Sequence, residues 1–204
     1  MGTANTLDCT EVHNVIGSSS THMTKGSQQL PQDVCLLPLQ PHVDARGIFT
    51  EVFRAEWETH VEPLQWNAVA SHQNVLRGVH AHWRHGDYLV VLQGRMFVGL
   101  QDLRRACSTY GVAASLLLTA DEPMALVIPP GVAHGFFFPA PATHLYAVSH
   151  YWNSNDELGC RWDDPGLKIP WPCNEPILSP RDASLGDLAV LVRQVNQKIV
   201  ALQS

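Results

Sequence analysis

The sequence predicts a mainly β domain, a barrel or jelly-roll sandwich that ends in a helix. Three observations predict it. From Val34 to Tyr151 the chain is written in short runs rich in Val, Leu, Phe and Tyr, broken at intervals by turn residues. Runs of about four to eight such residues between turn signals read as strands, and many of them at even spacing read as a barrel or sandwich. The last residues instead carry apolar side chains at helical spacing. Finally, 204 residues with 45% hydrophobic and 16% charged side chains suit one ordinary domain with a sizeable core. That balance excludes collagen-like, coiled-coil and wholly disordered chains.

In chain order, residues 1–30 are polar and rich in Ser, Thr, Asn and Gly, and read as a flexible leader. A single domain over residues 31–204 is expected. Strand-like runs follow at Val34–Leu39, Gly47–Phe53, Val75–His80, Tyr88–Leu92, Met96–Leu100, Ala125–Ile128 and His144–His150. Asp44-Ala45-Arg46-Gly47 reads as a tight turn, and Gly94-Arg95 as a hairpin turn. Asn153–Pro180 holds five prolines with several Trp, Asp and Asn residues, and reads as ordered coil around the barrel. Ser184, with Asp187 three residues on, reads as the cap of the tail helix. Leu188, Leu191, Val192, Val195, Ile199 and Leu202 then share one face of that helix.

Composition narrows the function. The net charge is −6, with only 13 Lys and Arg and no basic block. No phosphate-backbone footprint for nucleic acid is expected. No stretch approaches the roughly 20 apolar residues of a membrane span. Five cysteines at wide spacings, without a Cys-x-x-Cys pair, read as thiols in a reducing, cytoplasmic setting. The N-terminus lacks a basic-then-apolar secretory pattern.

Two constellations carry chemistry. The first is His80-Ala81-His82, then Asp87, Gly94 and Pro130-Gly131-Val132-Ala133-His134. Histidines at i and i+2 on a strand share a face. A carboxylate and a third His on later strands can converge on them, and such a set suits Zn, Fe, Mn or Ni. The order resembles the two metal-binding motifs of the cupin superfamily. The alternative is that His80 and His134 are core or catalytic histidines and no metal binds.

The second constellation is longer. It runs Asp44-x-Arg46-Gly47-x-Phe49-x-Glu51, Gln65-x-Asn67, Asn74-Val75-Leu76-Arg77-Gly78-Val79-His80, and Asp102-Leu103-Arg104. It continues with Ile128-Pro129-Pro130-Gly131-Val132-Ala133-His134-Gly135-Phe136, Leu145-Tyr146, Tyr151, Trp162-Asp163-Asp164-Pro165 and Leu178-Ser179-x-x-Asp182. This closely resembles the dTDP-4-dehydrorhamnose 3,5-epimerase family across nearly all of Val34 to Asp182. The resemblance implies a homodimeric, cupin-type jelly roll acting on a nucleotide-diphosphate 4-keto-6-deoxy sugar, with a dTDP-sugar as ligand and no cofactor. It assigns His80 as the base, Asp182 as its orienting partner and Tyr146 as the acid on the opposite face. It assigns Arg46 and Arg77 to the diphosphate and sugar, a task that suits the planar guanidinium fork. Phe49, Glu51, Gln65, Asn67, His134 and Tyr151 match positions around the substrate, with Trp152 as a further aromatic wall.

The chain departs from that family at two places. His82 stands where the family usually has Gln, and Asp87 where it usually has a Lys that the resemblance assigns to the enolate oxygen. A carboxylate about 4 Å from a forming enolate is repulsive by about 4 kcal/mol at an effective dielectric of about 20. Three ways out exist: Asp87 is neutral and donates a hydrogen bond, it points elsewhere, or it binds a metal that acts as the electrophile. The last gives a second reading, a metal-dependent cupin enzyme working through His80, His82, Asp87 and His134. In it, metal and proton transfer compete for His80. A third reading is a nucleotide-sugar-binding module without catalysis.

Overall fold

The computed structural model describes residues 28–151, 153 and 156–203. Most of the expected leader, and Trp152, lie outside these residues. Strands follow in the order β1 (Cys35–Pro38), β2 (Pro41–Asp44), β3 (Gly47–Thr50), β4 (Gln65–Ser71), β5 (Leu76–His82) and β6 (Asp87–Gln93). Then come β7 (Arg95–Asp102), β8 (Ala113–Thr119), β9 (Met124–Ile128), β10 (Val132–Phe137), β11 (Ala142–Val148) and β12 (Glu157–Gly159). Two helices, α1 (Pro180–Ala183) and α2 (Leu188–Gln203), complete the described chain.

The strands form two five-stranded antiparallel sheets, β1-β9-β6-β11-β4 and β12-β5-β10-β7-β8, and a separate β2-β3 hairpin. From β4 to β7 successive strands alternate between the sheets, and so do β9 to β12. This is the winding of a jelly roll, as the sequence predicts. Leu36, Leu89, Val91, Met96, Val98, Leu100, Leu126 and Ile128 fill the space between the sheets. The alternate residues of the first sheet, including Leu37, Tyr88, Val90 and Val127, pack under Trp57 and Val61. A strand buried on both faces needs apolar residues at every position, which explains the unbroken Tyr88-Leu89-Val90-Val91 run. The outer face of the second sheet, with Val79 and Ala81, packs on Cys160, Leu167, Ile169 and the α2 residues Leu188, Leu191, Val192 and Val195.

Several expectations change. Gly94 does not make a hairpin: β6 and β7 lie in different sheets, and Gly94 carries the chain between them. Its φ is +75°, and a Cβ there would run into the Pro141 carbonyl, so glycine is required by the crossing. Ser184 closes α1 at its C-terminal end; the cap of α2 comes from elsewhere. Asp187 starts α2 through its backbone carbonyl, and the Asp164 carboxylate accepts the Leu188 N–H at 2.9 Å. Leu202 is exposed, unlike Leu188, Leu191, Val192 and Val195 on the same helix. The Asn153–Pro180 segment includes β12, which pairs with β5. Order also reaches back past Pro31: Leu30 packs on the central core, and the Gln28 side chain accepts from the Ser115 N–H at 3.2 Å. The Asp44–Gly47 turn is present as expected, with Asp44 opposite Gly47 in the β2–β3 hairpin.

Candidate active site

Alternation along β5 builds the site. Val79 and Ala81 turn outward to the helix-covered core, so His80 and His82 turn into the space between the sheets. There they line a cavity of about 390 Å³ with Arg77, Asp87, His144, Tyr146, Glu157, Arg181 and Asp182. His80 Nε2 lies 2.7 Å from Asp182 Oδ1. A carboxylate only accepts, so Nε2 carries the hydrogen and Nδ1 keeps a lone pair. Asp182 is itself positioned by local structure. Its backbone N–H donates to the hydroxyl of Ser179, the α1 N-cap, at 3.0 Å, and the Gly78 N–H donates to its Oδ2 at 3.4 Å. Gly78 has φ +111°, and a Cβ would stand 2.9 Å from the His134 carbonyl, so only glycine lets β5 approach β10 this closely. Burial alone would raise the Asp182 carboxyl, but hydrogen bonds with His80, Gly78 and Ser179 and the His80 charge hold it below the usual range.

Tyr146 comes from β11 in the facing sheet, so His80 and Tyr146 line the cavity from opposite walls. Burial first, then the charges of Glu157 and Asp87, push its phenol above the ordinary value and keep it protonated. Asp87, at the start of β6, is buried and lines the cavity, which removes the option that it points elsewhere. Burial, with Glu157 nearby, raises its carboxyl well above the usual range. Its Oδ2 lies 3.8 Å from His82 Nε2 and 3.9 Å from His134 Nε2. Desolvation lowers both histidines, His134 to about 3. His85 stacks on His82 with ring centroids 4.1 Å apart.

The sequence family with this arrangement is identifiable. Residues 29–189 match the family model described as dTDP-4-dehydrorhamnose 3,5-epimerase. The chain belongs to this epimerase family. It is 33% identical over 174 residues to the dTDP-4-dehydrorhamnose 3,5-epimerase of Escherichia coli, covering 79% of this chain and 93% of that protein. It is 36% identical over 158 residues to the enzyme of that name from Neisseria gonorrhoeae, where the match spans 74% of this chain and 48% of the relative. Among solved structures, the dTDP-6-deoxy-D-glucose-3,5-epimerase of Legionella pneumophila, in complex with dTDP-4-keto-L-rhamnose, superposes with a TM-score of 0.75 at 28% identity. That match covers 82% of this chain and 94% of the Legionella chain.

Against the epimerase family's expected site, the structure gathers some residues and leaves others apart. His80, Arg77, Tyr146 and Asp182 line one cavity. Gln65 and Asn67 share the β4 face that bears the cavity residue Val69, and the Gln65 amide donates to Asn67 Oδ1 at 2.9 Å. His134 is buried behind the cavity against His82 and Phe136. The β2–β3 hairpin and its flank behave differently. The Arg46 side chain is 89% exposed and pairs with Asp44 at 2.6 Å, Phe49 is 64% exposed, and Glu51 sits 3.6 Å from Arg54. Tyr151 is also exposed. Of the predicted metal set of His80, His82, Asp87 and His134, His80 Nε2 is hydrogen-bonded to Asp182, while Asp87 lies 3.8 Å from His82 and 3.9 Å from His134. Sequence reasoning missed His144, Glu157, Arg181 and His85. Arg181 Nη1 donates to Glu157 Oε2 at 2.7 Å, and Glu157 lies opposite His82 in the β12–β5 register. Only the pairing of a three-residue strand brings Glu157 there, and no sequence signal marks it.

Proposed function

We propose that this chain epimerises a dTDP-linked 4-keto-6-deoxy sugar at a carbon next to its ketone, by deprotonation and reprotonation. The observation that carries this reading is the 2.7 Å His80–Asp182 pair on one wall with Tyr146 on the other. Nδ1 of His80 takes the proton. The C–H electron pair becomes the new C=C bond, and the carbonyl pair moves onto oxygen. Asp182, ionised and hydrogen-bonded to Nε2, stabilises the imidazolium that forms. The Tyr146 phenol returns a proton to the opposite face, which inverts the centre. Arg77, whose Nε donates to Ser71 Oγ at 3.0 Å, and Arg181 supply cations at the cavity for the diphosphate. The solved relative that carries a dTDP-sugar supports the nucleotide-sugar class.

The chain acts as a homodimer in this reading. A two-stranded hairpin is marginal in water by itself, and β2–β3 exposes Val43, Ile48 and Phe49. Docking of that hairpin on a second copy covers these side chains and carries Arg46, Phe49 and Glu51 to the partner's cavity. Cys107, Cys160 and Cys173 are free thiols, in keeping with a cytoplasmic enzyme. No helix among the described residues is long and apolar enough to cross a membrane.

The test is incubation of the protein with dTDP-4-keto-6-deoxyglucose in D₂O, followed by NMR. Deuterium at C3 or C5 together with an inverted centre is the expected result. Tight dTDP binding with no exchange would instead favour a binding module.

A further inference from the structure

Asp87 is a cavity residue that the proton transfer between His80 and Tyr146 does not use. It opens β6, and the β6–β11 register sets it opposite Val148, two residues along from the Leu89–Tyr146 pair. Asp87 and Tyr146 therefore share the wall formed by the first sheet, while His80 lines the cavity from the second. The Asp87 carboxyl is buried, yet no hydrogen bond reaches it among the described residues. His82 Nε2 at 3.8 Å and His134 Nε2 at 3.9 Å both stand beyond hydrogen-bond distance. Whatever proton this carboxyl carries is unclaimed by the protein.

The surroundings say which state the carboxyl holds. Both arginines of the cavity are engaged elsewhere. Arg181 donates to the Glu157 carboxylate at 2.7 Å and to the Glu157 carbonyl at 3.2 Å, and Arg77 donates to Ser71 Oγ at 3.0 Å. The groups that face Asp87 are His82 from β5, His85 from the β5–β6 loop, His134 from β10, Tyr146 from β11 and Glu157 from β12. Burial keeps the three imidazoles uncharged at neutral pH. His134 Nδ1 sits 3.2 Å from the Val132 carbonyl, which only accepts, so Nδ1 carries the hydrogen and Nε2 turns a lone pair towards Asp87. A carboxylate oxygen opposite that lone pair is repelled, whereas a carboxylic acid is not. Glu157 adds a second carboxyl to the same buried site, and two such groups do not readily ionise together. Glu157 has the arginine, so Asp87 is the one that keeps a proton.

We propose that Asp87 is a catalytic carboxylic acid whose O–H hydrogen-bonds the ketone oxygen of the sugar and stabilises the enolate. The identity of that oxygen rests on the epimerase reading. As His80 takes the C–H proton, the C–H pair becomes the C=C bond and the carbonyl pair moves onto the oxygen that Asp87 holds. When Tyr146 protonates the carbon, that pair returns to the carbonyl, and the Asp87 proton stays on Asp87 throughout. A neutral donor fixed in a dry site stabilises a forming oxyanion without any repulsion from a carboxylate charge. It stands where the family resemblance places a lysine.

The test compares wild type, Asp87→Leu and Asp87→Asn in deuterium exchange with dTDP-4-keto-6-deoxyglucose, with infrared difference spectra of the unliganded proteins at neutral pH. Asp87→Leu removes the donor, and exchange should fall about 10²–10³-fold, the usual loss for one oxyanion donor, with calorimetric dTDP binding retained. Asp87→Asn keeps an N–H donor, so its exchange should fall no more than about tenfold. The wild-type minus Asp87→Asn spectrum should carry the C=O stretch of a carboxylic acid and lack the paired stretches of a carboxylate. Unchanged exchange in Asp87→Leu, faster exchange in Asp87→Asn, or a carboxylate signature from an Asp87–imidazolium pair would each overturn the proposal. Asp87→Asn and its spectrum decide the matter if Asp87→Leu does not fold. Absence of exchange in folded wild type overturns the epimerase reading and the assigned oxygen with it. A carboxylate signature in an enzyme that does exchange overturns the Asp87 assignment alone, so the two failures are distinguishable.

Discussion

The cavity walls and the β2–β3 hairpin both carry residues that the sequence marks for function, yet only the walls assemble them within one chain. His80, Tyr146 and Asp182 come from three distant segments and meet because two buried sheets and a capped helical turn fix them. Arg46 and Phe49 sit on a hairpin whose tip projects into solvent. The buried sheets of one chain hold the proton-transfer residues together, whereas the exposed hairpin residues reach a cavity only in the dimer proposed above.

Substitutions sharpen this contrast. The largest effect is expected in the wall: His80→Ala should slow deuterium exchange by about 10²–10⁴-fold, the usual share of general acid–base catalysis. Calorimetric dTDP binding should be retained. Asp182→Asn keeps the shape but removes the charge behind the imidazolium. A charged hydrogen bond contributes about 1.5–3 kcal/mol, so exchange should fall about ten- to a hundredfold. In the hairpin, Arg46→Ala/Phe49→Ala should raise KM by about tenfold with a smaller change in kcat, from loss of one aromatic and one charged contact. An unchanged KM would break the comparison by removing the hairpin from the site.

The smallest effect at neutral pH is expected from His144, a buried wall residue whose imidazole burial, helped by Arg77, lowers to about 4. In the unfolded chain it protonates near 6.5. Between those values the unfolded state binds more protons, so stability falls as pH drops from about 6.5 towards 4. Urea melts of His144→Phe across that window should show a shallower acid limb than the wild type, and equal slopes would refute the assignment.

Much of this was legible in the sequence, for reasons that can be named. Runs such as Tyr88–Leu92 and Met96–Leu100 are apolar throughout because both sides are covered, so they announce themselves as strands. β4 was harder to read, because Gln65, Asn67 and Val69 face the cavity side while Trp66, Ala68 and Ala70 face out, with no apolar run to mark it. Gly94 gave a true turn signal, but whether a turn pairs its flanking strands or passes between sheets depends on partners far along the chain. The His80–Asp182 pair spans 102 residues, and only the family resemblance brought it forward. His85 carried no pattern at all. It matters because a short loop folds it onto His82, a tertiary contact that spacing along a strand does not encode.

In the proposed reaction, two side chains on opposite sheets handle the proton from opposite faces of the sugar. Tyr146→Phe tests it most directly, followed by NMR of dTDP-4-keto-6-deoxyglucose in D₂O. In this variant His80 is expected still to remove the proton and return deuterium to the same face, giving labelled sugar with retained configuration and little epimer. Epimer formed at the wild-type rate by that variant would contradict it.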